Sequence, residues 1–383
     1  MKITSTFLAY CIPLQNLRIK VRLVFIHLGS KFPEHLELNI KRHLQVFPNI
    51  PVSIIHNYSE ENERLNLNSL DIYLYRRSNA VFDILSSLNH DNRFRNNFWI
   101  NTLERFYALE KFHAEKPNEK ILHIESDVLL LPNFPWKSFN SLDEVWYTRY
   151  NSKKDVAALL FSPNLNKTNQ MVKLISAALA NDPNLTDMTA LSTLSHSYHD
   201  QFKILPSSPK LKNSFLNNYN VCAIEEKMSI SENFDLFGGI FDPAPFGMWL
   251  TGQDPRNHFG FTQVKSRNII ESGDSFLDPA KFSYKLNVSG ELVVSIDKAR
   301  TDIWSLHVHS KNKELFGENW VIRLRKFVDQ SQSSKQYSFF SLNILIELLI
   351  ANKKQKTLIR FILNLPYLRK IKAFLKIFIK YRF

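Results

Sequence analysis

Cysteine and glycine are scarce in this chain, long apolar runs are missing, and acids vanish from its end. The two cysteines, Cys11 and Cys222, lie far apart with no CxxC or Cys/His spacing. That excludes a disulfide framework and a structural zinc site, and it leads to the expectation of a reducing, cytoplasmic setting. No stretch reaches the roughly 18–20 uninterrupted apolar residues of a membrane-spanning helix. The opening MKITSTFLAYCIPLQNLRIK has the basic and apolar order of a secretory leader. However, Pro13, Gln15 and Asn16 interrupt the run and no small-x-small cleavage site follows. Between Asn352 and Phe383 there is no Asp or Glu against ten Lys and Arg, so most of the net charge of +13 belongs to this tail and the body is nearly balanced. What is present is a globular chain: 44% hydrophobic residues and thirty phenylalanines exclude disorder and supply a large core.

The tail closes as LPYLRKIKAFLKIFIKYRF. Pro366 suits a first helical turn, and Leu368, Ile371, Phe374, Leu375, Phe378 and Ile379 recur at spacings of three and four. Lys372, Lys376 and Lys380 form an i, i+4 row on the opposite face. This predicts a basic amphipathic helix over 366–383 lying in the headgroup region of an anionic membrane, each basic residue adding about 1 kcal/mol of attraction. A helix packed on the core stays open as the competing reading, although such helices seldom lack acids entirely; nucleic-acid arms rarely carry this much Phe and Ile, and no nucleic acid is expected. YSFFSLNILIELLIANKK just before it reads as a second membrane-facing or docking helix.

The body alternates strand and helix. Strands are expected over 21–29 (VRLVFIHLG), 51–57 (PVSIIHN), 71–77 (DIYLYRR) and at KILHI after the Pro117-Asn118 turn. Helices are expected over 33–47, starting at Pro33, and over 96–116, with Trp99, Leu103, Phe106, Tyr107 and Phe112 as the buried stripe of the second. Strands joined by helical crossovers imply an α/β fold: a Rossmann-type mixed, mostly parallel sheet flanked by helices. A catalytic domain over 18–320 and a helical, basic amphipathic tail over 321–383 follow.

Ligands of such sheets sit beyond the carboxyl ends of the strands, and ILHIESDVLL puts Glu125, Ser126 and Asp127 there. Alternate residues of a turning chain can aim both carboxylates into one crevice, where uncompensated charge would raise their pKa values or cost stability. Mn²⁺ or Mg²⁺, hard cations that share oxygen ligands with a substrate's phosphates, would relieve this. The spacing alone is equally compatible with Glu125 capping a turn and Asp127 pairing with an arginine.

NTLERFYALEKF followed by ILHIESDVLLLPNFP resembles the helix-strand-DxD segment of nucleotide-sugar-dependent glycosyltransferases of the GT-A fold, with Glu125 in place of the first aspartate. The resemblance implies that Asp127 binds a metal bridging the donor diphosphate, while Glu125 lies nearer the ribose or reaches the metal through water. It implies a late histidine ligand with a basic residue beside the leaving diphosphate. In DIWSLHVHSKNKELF (302–316), His307 and His309 stand two apart on an expected strand, hence on one face; His309 and Lys311 match those roles, with His307 the alternative ligand. It further implies an acceptor-side aspartate acting as base if the reaction inverts.

For that base the glycine-dense FGGIFDPAPFGMWLTGQDPRNHFG (237–260) offers Asp242 first and Asp254 second. Asp242 would equally cap the short helix running from Phe246 to Leu250. Arg256 is expected to hold an anionic or hydroxylated ligand. His27 to Gly29 should border base and ribose, Arg105 or Arg76 the donor, and Asp187, opening a helix, either caps it or touches the acceptor. The expected activity is a metal-dependent, hexosyltransferase-type transfer from a nucleoside diphosphate sugar, UDP favoured, to a lipid-linked or cell-envelope glycan, at the inner face of the membrane. A metal-dependent phosphoester hydrolase and a non-catalytic membrane or nucleic-acid adaptor are the alternative classes.

Overall fold

The structure, a computed structural model, describes residues 20–29, 32–57, 70–91, 93–210, 224–254, 275–296 and 299–332. The β-branched run Val21–His27 forms β1, and α1 (Glu34–Val46) crosses over to β2 (Val52–His56), which pairs with β3 (Leu70–Leu74). After α2 (Asn79–Ser86) and α3 (Phe98–Glu115) the chain returns through β4 (Lys120–Ile124), which lies parallel to β1. Then come β5 (Val128–Leu130), α4 (Trp136–Asn140), the antiparallel hairpin of β6 (Val145–Asn151) and β7 (Lys154–Ser162), α5 (Leu165–Asn181), α6 (Asp187–Ser197) and β8 (Phe202–Leu205). Seven strands make one sheet in the order β3-β2-β1-β4-β7-β6-β8, with the pairs β3/β2, β2/β1, β1/β4 and β6/β8 parallel. This is the mixed, mostly parallel α/β sheet expected.

Alternation along the strands builds the two faces. Leu23, Phe25, Ile54, Leu122 and Ile124 pack with Leu36 and Ile40 of α1, while Val24, Ile55 and Ile121 pack with α3, α5 and α6. Each such aliphatic or aromatic side chain, taken fully out of water, contributes about 1.5–3 kcal/mol. A second sheet forms from β5 and three late strands. After α7 (Ile224–Ser229), α8 (Phe234–Phe237), β9 (Gly239–Phe241) and α9 (Pro245–Thr251), the strands β10 (Ser283–Leu286), β11 (Leu292–Ile296) and β12 (Ala299–His307) run antiparallel in the order β10-β11-β12-β5, with β9 beside β12. β5 joins the layers: Val128 and Leu130 face the α1 side of the first core, whereas Leu129 and Leu131 enter a third core with Phe246, Ile303 and Leu306.

The helix Trp320–Gln332 sends Leu324 and Val328 into the third core, and the compact unit of the fold runs to Gln332. Two expectations change. The second expected helix starts at Phe98 after three left-handed residues, Arg95, Asn96 and Asn97 (φ 48°, 54° and 62°), and Ile100 rather than the partly exposed Trp99 opens its buried stripe. β12 stops at His307, so the strand expected to carry both histidines carries only one. The tail readings at 337–354 and 366–383 lie outside the described residues, and among the described residues no helix is long and apolar enough to cross a membrane.

Candidate active site at the junction of the two sheets

Glu125, Ser126 and Asp127 are the turn by which the chain leaves one sheet for the other. β4 ends at Ile124; Glu125 N–H still donates to Ala158 O of β7 (3.0 Å), and Val128 N–H closes the turn on Glu125 O (3.1 Å). From Val128 the chain pairs with β12, Val128 opposite His307, and Val308 N–H donates to Asp127 O (2.8 Å). The acid pair and His307 therefore meet because one strand-end turn and one strand end are registered against each other.

The carboxylates meet side-chain cations from several elements. Arg105 of α3 pairs with both Glu125 and Asp187, the first residue of α6. His307 Nε2 lies 3.6 Å from Glu125 Oε2 and 3.4 Å from Asp127 Oδ1, and Lys311 Nζ rests on Asp127 Oδ2. Lys311 is also 3.9 Å from Asp254 Oδ2, which sits 3.5 Å from Arg95. Burial alone would raise the Asp127 pKa, but Lys311 and then His307 hold it well below the ordinary carboxylate range. Arg105 and His307 likewise overcome desolvation to lower Glu125. For His307, burial disfavours the imidazolium, yet Asp127, Glu125 and Asp242 lift it to about 9. His309, buried next to the charges of His307 and Lys311, is pushed down to about 3.

One ligand atom each from Glu125, Asp127 and His307 lie within 4.8 Å of one another. Two hard carboxylates and an imidazole fit a divalent ion such as Mn²⁺. His309 is not in this group. Beyond β12 its N–H turns back to His307 O (2.8 Å), and its Nδ1 accepts from Asp254 N–H (3.0 Å), so the preferred histidine ligand becomes His307.

Asp242 is placed differently. Its Oδ1 accepts from Ala244 and Phe246 N–H (2.9 and 3.1 Å), and its Oδ2 from Gly247 and His307 N–H (2.7 and 3.0 Å). Four backbone donors occupy this buried carboxylate, so its geometry is that of the cap at the start of α9 and not of a base free to reach a hydroxyl. Gly247 is required by the same packing: a Cβ there would lie 1.7 Å from His307 O. Asp242 and Gly247 thus hold α9 against the residue that offers the imidazole.

The remaining expected residues separate into near and far. With Phe25 opposite Ile124, His27 and Gly29 leave the sheet at the same edge as Glu125; His27 packs on Phe32 (5.5 Å between rings), and Gly29 N–H donates to Asn57 Oδ1 (3.2 Å). Ser126 Oγ meets His35 Nε2 (3.1 Å). Asp187 is not the cap of α6; Thr186 is, accepting from Thr189 N–H, which leaves Asp187 for Arg105. Arg76 is exposed after β3, three strands from β4, and Arg256 lies outside the described residues.

Arg95 was missed. Its signal is the Arg-Asn-Asn run before α3, since Asn is the non-glycine residue that best tolerates left-handed backbone. Lys311 also has φ 54°, a conformation that costs a non-glycine residue about 1–3 kcal/mol and clusters at functional sites.

No protein-family profile matches the chain, and no curated protein does. Solved structures similar to it include the PaToxG glycosyltransferase (13% identity, 47% of this chain and 70% of that one, TM-score 0.32). Another is the galactosyltransferase LgtC in complex with donor and acceptor sugar analogues (14% identity, 48% and 73%, TM-score 0.37). A third is the glycosyltransferase GlyE of Streptococcus pneumoniae TIGR4 (13% identity, 52% and 47%, TM-score 0.31).

Proposed function

We propose that this chain is a metal-dependent glycosyltransferase that moves a sugar from a nucleoside diphosphate sugar, UDP favoured, to a glycan or lipid-linked acceptor. The observation that carries the reading is the convergence of Glu125, Asp127 and His307 at the edge where the two sheets meet, with Lys311 on Asp127. Glu125, Asp127 and His307 would hold Mn²⁺ or Mg²⁺. When bound, the ion supplies positive charge for the departing diphosphate. Lys311, on a flexible stem and 28% exposed, can exchange Asp127 for a phosphate oxygen and oppose charge as the bond from the anomeric carbon to the phosphate oxygen breaks. Arg105 keeps Glu125 and Asp187 in place along the donor, and His27 and Gly29 border the nucleotide.

If the configuration inverts, Asp254 takes the base role expected of Asp242. The acceptor oxygen then bonds the anomeric carbon as its proton passes to the Asp254 carboxylate, which Arg95 and Lys311 flank. The acid-free sequence of 366–383 supports attachment to the inner face of a membrane, where a lipid-linked or cell-envelope acceptor would share the enzyme's thin layer.

A screen of nucleotide sugars for Mn²⁺-dependent hydrolysis tests the reading without an acceptor. One or a few UDP-sugars should release UDP with Mn²⁺ and not with a chelator. Release from none of them, together with no stabilisation by UDP and Mn²⁺, would remove it.

A further inference from the structure

The amphipathic pattern of α1 predicts a solvated polar face, but part of that face is buried. Asn39 and Arg42 are 0% and 2% exposed and look onto β5, while His35 meets Ser126 in the turn before it. One edge of β5 pairs with β12. On the other, Asn39 Nδ2 donates to both Ser126 O (3.1 Å) and Val128 O (2.8 Å), and Arg42 Nη2 donates to Leu130 O (2.8 Å). These are alternate residues, whose carbonyls point to one side of a strand. Two strand residues advance about 6.6 Å, and the three helical residues from Asn39 to Arg42 about 4.5 Å, a difference that the longer arginine side chain spans. The polar stripe of α1 thus stands where a neighbouring strand would be, and it satisfies carbonyls that burial would otherwise leave unpaired.

Asn39 does more than fill an edge, because its two N–H groups take the carbonyls on either side of Asp127. Asp127 O is itself held from the opposite edge by Val308 N–H (2.8 Å). We propose that Asn39 is the positioning residue that fixes the Asp127 carboxylate for metal binding, with His35 on Ser126 Oγ in a lesser supporting role. The proposal rests on the reading of Asp127 as a metal ligand. Outer groups that orient a ligand typically change metal affinity 10–100-fold when removed. Arg42 provides the comparison within the same helix. It holds Leu130, three residues further on, and stacks over Trp320 (4.2 Å), so it shares the structural burden without touching the turn.

The test is Mn²⁺ titration followed by electron paramagnetic resonance, with UDP present, on the full chain and on Asn39→Leu, His35→Ala and Arg42→Met, each below its own unfolding transition. Asn39→Leu should weaken Mn²⁺ about 10–100-fold and His35→Ala only a few-fold. Arg42→Met should lower the melting temperature as much as Asn39→Leu yet keep Mn²⁺ affinity within about twofold. If Asn39→Leu does not fold, His35→Ala against Arg42→Met carries the same contrast. Unchanged affinity in the Asn39 and His35 variants, or an equal loss in Arg42→Met, overturns the positioning role. Absence of Mn²⁺ binding by the unaltered chain would instead strike the underlying metal reading, and the proposal with it.

Discussion

Asp127 and Asp242 are both buried aspartates, 3% and 2% exposed, and both touch His307, yet they meet opposite kinds of partner. Asp127 is compensated by side-chain cations, Lys311, which can swing away, and His307, which can lose a proton. Asp242 is compensated by four backbone N–H groups, which can do neither. The difference appears in their protonation as well. Lys311 and His307 drive Asp127 well below its ordinary value against the effect of burial, whereas burial wins at Asp242 and raises it. A buried acid with exchangeable partners can receive a ligand; one built into the backbone network serves the fold.

Substitution should separate the two by what is lost. Asp242→Ala strands four buried donors, at about 1–3 kcal/mol for each left unsatisfied, partly relieved by relaxation. Urea unfolding should show a loss of about 3–5 kcal/mol. A loss below about 1 kcal/mol would mean the cap is dispensable. Asp127→Asn should cost much less stability, since Lys311 can turn to solvent and His307 can deprotonate. It should instead abolish the thermal stabilisation by UDP with Mn²⁺, which in the unaltered chain amounts to about 2.7 kcal/mol at a hundred times the dissociation constant. Similar stability losses at both positions, with ligand response intact, would erase the comparison.

Lys311→Met sharpens it further. Without an ammonium on Asp127, Mn²⁺ alone should bind about tenfold tighter, about 1.4 kcal/mol. UDP in the presence of Mn²⁺ should bind more weakly, because the phosphate has lost a cation. Calorimetry of the two titrations reads these opposite signs, and two changes of the same sign would contradict the exchange.

The comparison also has a pH signature. With a folded pKa of about 9, His307 is protonated at neutrality and must lose that proton to ligate. Mn²⁺ affinity should therefore rise as pH goes from 7 to 9, up to about tenfold per unit. Its contribution to stability runs the other way. Because the folded pKa is raised above the ordinary 6.5, that contribution is full below about 6.5 and is lost as pH rises through 9. Flat Mn²⁺ affinity across this range, followed by proton relaxation, would remove His307 from the ligands.

The first half of the sheet was legible because β1, β2, β3 and β4 are short runs rich in β-branched, aromatic and aliphatic residues, and Glu125 and Asp127 were legible as acids at a strand end. The hairpin β6/β7 was not read, and its antiparallel place beside β4 is a matter of long-range pairing. The histidine pair was found, but the ligand choice depended on where β12 stops. The turn of His309 onto His307 O and Asp254 N–H follows from neighbours brought in by the fold. Asp242 looked both like a cap and like a base, and only the directions of four N–H vectors separate those roles. Asn39 and Arg42 were not singled out, because nothing in a local pattern announces that β5 leaves its sheet beside them.

The most direct measurement is anomalous diffraction from crystals of the full chain grown with Mn²⁺ and UDP. The account predicts a manganese peak about 2.0–2.3 Å from a carboxylate oxygen of Asp127 and from His307, with Lys311 Nζ moved from Asp127 onto a phosphate oxygen. A structure with UDP bound, no manganese among Glu125, Asp127 and His307, and Lys311 still on Asp127 would contradict it.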